Sequence, residues 1–192
     1  MIDRRLFLQA MAAGGMASGL GAGTAGGGEA GPVRTILSET GCGRATGYSE
    51  TNKIVTWEGK THVAWLDSVA EGFRVRVRTL DRETGTWSPV YTVGEAYDNH
   101  GGPALTVDSG GHLHIVYYPH HHPFRYRRSL RPNDASEWSD EIQFGERLTY
   151  SSLLCGPDDT LYFACRQRGE PWTLNFYRKP ADGEWEGPTI VL

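Results

Sequence analysis

The sequence predicts an all-β fold, a β-propeller of four-stranded antiparallel blades of which about three are present. Three observations lead to it: self-similarity with a period of about fifty residues, short runs of alternating apolar and polar residues in every period, and no helical period after the first thirty or so residues. With 192 residues, 39% of them hydrophobic and 22% charged, the composition is that of a globular chain able to build a sizeable core.

The first repeat covers residues 48–97. Its β-rich runs are Asn52 to Trp65, Phe73 to Arg78 and Pro89 to Val93, with a turn from Asp81 to Trp87. The second, residues 98–147, repeats the order with Pro103 to Val107, Leu113 to Tyr118, Phe124 to Ser129 and Glu141 to Phe144. The third, residues 148–192, gives Ser151 to Cys155, Leu161 to Cys165, Trp172 to Arg178 and Thr189 to Leu192. Gly/Asp/Pro turns separate the runs, the signature of half-buried antiparallel strands. Trp87, Trp138 and Trp185 recur between the third and fourth strands, each shortly after an aspartate and a turn residue. That step resembles a degenerate Asp-box, the turn of the BNR repeat in sialidase-like propellers, where the aromatic ring packs between neighbouring sheets. Closure takes typically four to eight blades. Three blades leave open sheet faces and an edge, so the chain reads as the N-terminal part of a longer propeller.

Residues 1–31 read as an address, with residues 32–192 forming the incomplete propeller. Arg4-Arg5-Leu6-Phe7-Leu8-Gln9 resembles the twin-arginine signal, followed by a short apolar stretch and a Gly/Ala tract with a cleavage site expected between Ala25 and Gly31. Export in a folded state to the periplasm or exterior follows. The apolar stretch falls well short of the ~20 residues of a spanning helix, so no permanent membrane span is expected. The formal net charge of −4, without a Lys/Arg run in the mature chain, speaks against a nucleic-acid partner. Cys42, Cys155 and Cys165 have neither zinc-site spacing nor an even count, and read as buried thiols.

In an up-and-down blade, the start of the first strand and the end of the second share a rim. Tyr48, His100 and Tyr150 occupy equivalent places before the innermost strands; Asp67, His120 and Arg166 occupy equivalent places at the ends of the second strands. Asn99-His100-Gly101-Gly102 sets a histidine before two glycines that permit close approach of backbone or ligand. In Tyr118-Pro119-His120-His121-His122, three histidines could hold a metal, form a solvated loop, or serve an anionic sugar. Neighbours in an extended segment point to opposite sides, which makes three consecutive ligands to one ion awkward, and no metal residue is assigned. Arg166 ends an apolar strand and needs an anionic partner or solvent.

From Gly47 to Tyr177 the chain resembles the BNR-repeat polysaccharide lyases of the ulvan-lyase kind, seven-bladed propellers that cleave uronate-containing polysaccharides. The resemblance rests on Asn99-His100-Gly-Gly-Pro, the His112-Leu-His-Ile-Val-Tyr-Tyr run leading to His120, Leu148-Thr149-Tyr150, and Arg166. It implies a catalytic set of His100, His120, Tyr150 and Arg166; Asn99, Tyr48, His121, His122 and Tyr118, which flank these residues or share their rim, are the candidate substrate contacts. It also implies β-elimination on a polysaccharide substrate without a cofactor, structural calcium or zinc remaining open. Ser151-Ser152 departs from the Pro-containing step expected after the tyrosine. A sialidase-like glycoside hydrolase and a non-catalytic carbohydrate-binding propeller are the alternatives; the first needs an arginine triad, of which only Arg166 is evident.

Overall fold

A computed structural model describes residues 33–192, and every regular element among them is a strand. The targeting segment expected at residues 1–31 lies outside the described residues. The first repeat forms a four-stranded antiparallel sheet in sequence order: β1 (Ile54–Trp57), β2 (Lys60–Val69), β3 (Gly72–Asp81) and β4 (Tyr91–Ala96). In β3, Val75 and Val77 are fully buried while Arg74, Arg76 and Arg78 alternate onto the other face. The turn after β3 is held by Asp81, whose Oδ1 accepts hydrogen bonds from the amides of Glu83 and Thr84.

The second and third repeats differ from expectation. They do not make two separate sheets but one seven-stranded sheet of β5 (Ala104–Val107), β6 (Leu113–Tyr117), β7 (His122–Arg128), β8 (Ile142–Cys155), β9 (Leu161–Gln167), β10 (Thr173–Lys179) and β11 (Glu186–Ile190). The join is β8. Its start pairs with β7 through Ile142 to Phe144, and its end pairs with β9 through Ser152 to Cys155, so one strand closes the second repeat and opens the third. Two irregularities in its pairing, with positive φ at Gly145, Arg147 and Tyr150, bend the strand without breaking it.

The apolar side chains form two cores, the first between the two sheets and the second within the bent seven-stranded sheet. Ala64, Leu66, Val75, Val77 and Val93 of the first sheet pack with Leu105, Leu113, Ile115 and Tyr117; Ala104, Val116, Phe124, Leu148, Leu153 and Phe163 form the second core. β6 therefore buries both faces, Ile115 and Tyr117 on one side and Val116 on the other, which explains why it reads as a continuous apolar run. Each fully buried aliphatic side chain contributes roughly 1.5–3 kcal/mol. Trp138 packs on the first core and Trp185 stacks on Phe144 at 4.3 Å, so both rings sit between neighbouring repeats. All three cysteines are free, Cys165 buried and the other two half-buried.

Candidate active site

At one end of the stacked sheets, three connections are stitched together. Tyr97 N donates to Tyr118 O (2.9 Å) and Tyr118 N to Gly101 O (3.3 Å), tying the β4–β5 connection to the β6–β7 connection. Gly101 is required there, since a Cβ would lie 2.4 Å from Tyr118 O and 2.8 Å from Ala96 Cβ; Gly102 has open space instead. His121 N donates to Leu148 O (3.0 Å) and to Thr149 Oγ1 (3.1 Å), which brings β8 into the same rim. Of the seven described non-glycine residues with positive φ, Tyr118, His121, Arg147 and Tyr150 lie here. Strained backbone concentrated at one rim is the pattern of a functional site.

The rings form a connected set. His100 and His120 stack at 3.9 Å, and Tyr48 lies 5.1 Å from Tyr150 and 6.0 Å from His100. Arg166 is clamped between Tyr150 and Trp172, its guanidinium carbon 4.3 Å and 4.4 Å from their ring centroids. No carboxylate of the described residues pairs with Arg166, and its buried Nε has no hydrogen-bond partner. A half-buried guanidinium, held between two rings and without a carboxylate partner among the described residues, has the chemistry to receive an anion.

Two groups not foreseen from the sequence organise the imidazoles. Asp98 Oδ2 accepts from His120 Nδ1 (2.6 Å), and its Oδ1 accepts from His100 Nδ1 (3.2 Å) and from the His100 amide (2.7 Å). Arg44 Nη1 donates to His100 Nε2 and to Tyr48 Oη. Burial pushes the His100 imidazole below the usual histidine range, and the charges of His120 and Arg44 add to it against Asp98. Burial would raise Asp98, but hydrogen bonds from the His100 amide and from His120 outweigh it and hold the carboxyl below its ordinary value. Burial raises the Tyr48 phenol, partly offset by Arg44.

The rim thus brings together Tyr48, His100, His120, Tyr150 and Arg166, with His121 at the edge, 4.4 Å from His120 and 5.5 Å from Trp172. It does not bring in Tyr118 and His122. Those two belong to a neighbouring aromatic group, the His122 ring lying 4.2 Å from Tyr97 at an interplanar angle of 46° and Tyr118 lying 3.5 Å beneath the Arg125 guanidinium. Asn99 is half-buried in the turn and makes no side-chain hydrogen bond among the described residues. Asp67 is taken out of the rim, accepting from Ser38 (2.6 Å) and Trp65 (2.7 Å) and pairing with Arg76. Asp98 had a visible signal, standing two residues before His100 as a turn aspartate does; Arg44 lies in irregular chain and carried none. Trp172 reads as an ordinary strand aromatic, yet 48% of its surface is exposed.

Consecutive histidines 120–122 turn to three different partners, Asp98, Thr149 and Tyr97, and do not converge on one point. Among the described residues only Asp98, His100 and His120 stand close enough to hold a metal together. The Arg44 guanidinium on His100 Nε2 sets a fixed positive charge beside that trio, an unfavourable neighbour for a cation.

The sequence pattern of BNR repeat-containing family members matches residues 60–186, most of the chain. The chain belongs to the BNR repeat-containing family. Within this BNR-repeat chain the matched stretch holds His100, His120, Tyr150 and Arg166 and leaves Arg44 and Tyr48 outside. An ulvan lyase of Nonlabens ulvanivorans is 25% identical over 156 residues, covering 68% of this chain and 32% of the relative. A PL25 ulvan lyase of Pseudoalteromonas sp. (strain PLSV) is 30% identical over 109 residues, covering 49% of this chain and 21% of the relative. The BNR-repeat chain therefore spans between about a fifth and a third of the length of these curated relatives. The solved structure of a PL25 ulvan lyase bound to -[GlcA(1-4)Rha3S]- superposes with a TM-score of 0.70 at 17% identity, covering 80% of this chain and 40% of that one. The Hadza microbial sialidase Hz136 superposes at 0.52 with 16% identity, covering 71% and 36%. Both likenesses are of fold.

Proposed function

We propose that the protein is an exported polysaccharide lyase that cleaves uronate-containing polysaccharide by β-elimination, and that its sheets are blades of a seven-bladed propeller. The observation that carries this reading is Arg166, an unpaired guanidinium held between two aromatic rings beside a histidine pair and a tyrosine pair. Elimination at a uronate needs three things at one place: neutralisation of the carboxylate, removal of the C5 proton, and protonation of the departing oxygen. Arg166 takes the carboxylate and stabilises the charge that develops on it. One of the imidazoles, or Tyr150 as its phenolate, accepts the C5 proton. The electron pair forms the C4–C5 double bond, the C4–O bond breaks, and a second of these groups protonates the leaving oxygen, each such transfer contributing about 10²- to 10⁴-fold. Atoms balance without an oxidant, a reductant or a water molecule.

The ulvan-lyase relatives and the oligosaccharide-bound PL25 enzyme support an anionic polysaccharide as the substrate class. Export to the periplasm or outside the cell is supported by the twin-arginine-like Arg4-Arg5-Leu6-Phe7-Leu8-Gln9. No helix among the described residues is long and apolar enough to cross a membrane. A sialidase-like hydrolase is disfavoured because Asp98, the nearest carboxylate, already accepts from two imidazoles and is not poised as an acid.

The test is to incubate the protein with ulvan and with other uronate polysaccharides and follow the absorbance of the unsaturated uronate. The expected result is a rise in absorbance that Arg166→Ala abolishes. Binding of the polymer with no rise would replace the lyase with a carbohydrate-binding propeller, and release of saturated sugar would replace it with a hydrolase.

A further inference from the structure

We infer that Asp98 is a positioning residue that fixes His100 and His120 in one tautomer, with the proton on Nδ1, so that His120 Nε2 is the uncommitted nitrogen of that pair. This inference rests on the lyase reading only for its catalytic consequence; the tautomers themselves do not depend on it.

An ionised carboxylate only accepts, so each nitrogen facing Asp98 must carry a hydrogen: His120 Nδ1 at 2.6 Å from Oδ2, and His100 Nδ1 at 3.2 Å from Oδ1. Arg44 only donates, so His100 Nε2, which it contacts, must be a bare lone pair. Both constraints on His100 agree, and together they describe a neutral ring with its proton on Nδ1. The stack of the two rings at 3.9 Å and 21° follows, because one carboxylate holds their Nδ1 edges side by side. The same contacts separate the roles of the two rings. His100 is saturated, with Asp98 on one nitrogen and Arg44 on the other. Among the described residues, His120 Nε2 has no hydrogen-bond partner and is left to exchange a proton with a substrate. Asp98 is anchored by the His100 amide, so the pair of rings is aligned on a fixed point of the β4–β5 connection before any ligand arrives. The other titratable groups facing these two rings are Tyr48, Tyr150 and His121, with Arg166 and Arg168 acting on His121.

Histidine-labelled protein examined by long-range proton–nitrogen NMR above pH 7 tests this directly, with His100→Gln and His120→Gln used to assign the signals. Both rings are expected as Nδ1–H tautomers. Asp98→Asn, with its fold checked by circular dichroism, is expected to shift at least one ring to the Nε2–H form common in free imidazole. In the same variant kcat falls about 10²-fold with little change in KM, as for loss of an aligned proton-transfer group, and Asp98→Glu restores part of it. An Nε2–H tautomer at His120 in the unmodified protein overturns the inference even if the protein is a lyase. So does stoichiometric zinc binding that strips both Nδ1 protons. The expected tautomers in a protein without lyase activity would sink the functional reading and leave this one standing.

Discussion

Two clusters in this chain are built from histidine, tyrosine, aspartate and arginine, and they differ in whether their polar groups are satisfied. Between the second and third repeats, His114 donates or accepts at both nitrogens, Nδ1 with Tyr126 Oη (2.7 Å) and Nε2 with Asp108 Oδ2 (3.1 Å). Arg128 completes the set on Asp108 (3.2 Å), and His114, Tyr126 and Asp108 are all buried. At the rim the same residue types are partly exposed, and Arg166 has no counter-ion among the described residues. The first cluster closes on itself, whereas the second leaves a guanidinium unpaired. Residue type alone does not separate the two clusters; the unpaired charge does.

Four predictions break or sharpen that contrast. The largest effect is expected from Arg166→Ala: activity on a uronate polymer falls by about 10³-fold or more, as for removal of an electrostatic stabiliser, while the melting temperature stays put. A drop in melting temperature with activity retained would make Arg166 a structural residue. Next, His114→Ala leaves Asp108 and Tyr126 buried without their partner and is expected to cost about 2–3 kcal/mol in denaturant unfolding. His120→Ala, at the more exposed rim, costs less than about 1 kcal/mol on the same measurement. Equal losses would erase the distinction between the clusters.

Trp172→Ala removes one face of the Arg166 clamp, and an approximately tenfold rise in KM is expected, in keeping with a cation–π and stacking contact of about 1–1.5 kcal/mol. The smallest effect is on stability against pH. Burial depresses the imidazoles of His62 and His114. The unfolded chain therefore takes up protons first, and the stability contributed by the neutral rings is present above about pH 6.5 and lost as pH falls below it. Melting curves between pH 7 and 5 should show a decline that flattens in a His62→Gln, His114→Gln double variant. A rise in stability over that interval would contradict the assignment.

How much of this was legible in the sequence follows from what each feature depends on. Strand positions came from alternation, which is local: Val75 and Val77 against Arg74, Arg76 and Arg78 announce β3 without any tertiary information. The Trp period gave the repeats, and the rim pairing of Tyr48, His100 and Tyr150 followed from antiparallel geometry. The continuity of β8 was hidden because it depends on left-handed backbone at Arg147 and Tyr150, conformations that neither residue type advertises. Arg44 was hidden because an irregular segment has no period to place it. Tyr118 and His122 were assigned to the site by proximity in sequence to His120. Adjacent side chains diverge, however, and these two join Tyr97 and Arg125 instead.

A rim that receives a carboxylate discriminates its ligands by charge. The decisive comparison is the binding of a uronate oligosaccharide against that of its carboxyl-reduced counterpart, in the unmodified protein and in Arg166→Ala. The unmodified protein is expected to prefer the charged ligand by at least tenfold, and Arg166→Ala to remove the preference. Equal affinity for the two ligands in the unmodified protein, or a preference that survives the loss of Arg166, would contradict carboxylate binding at the rim.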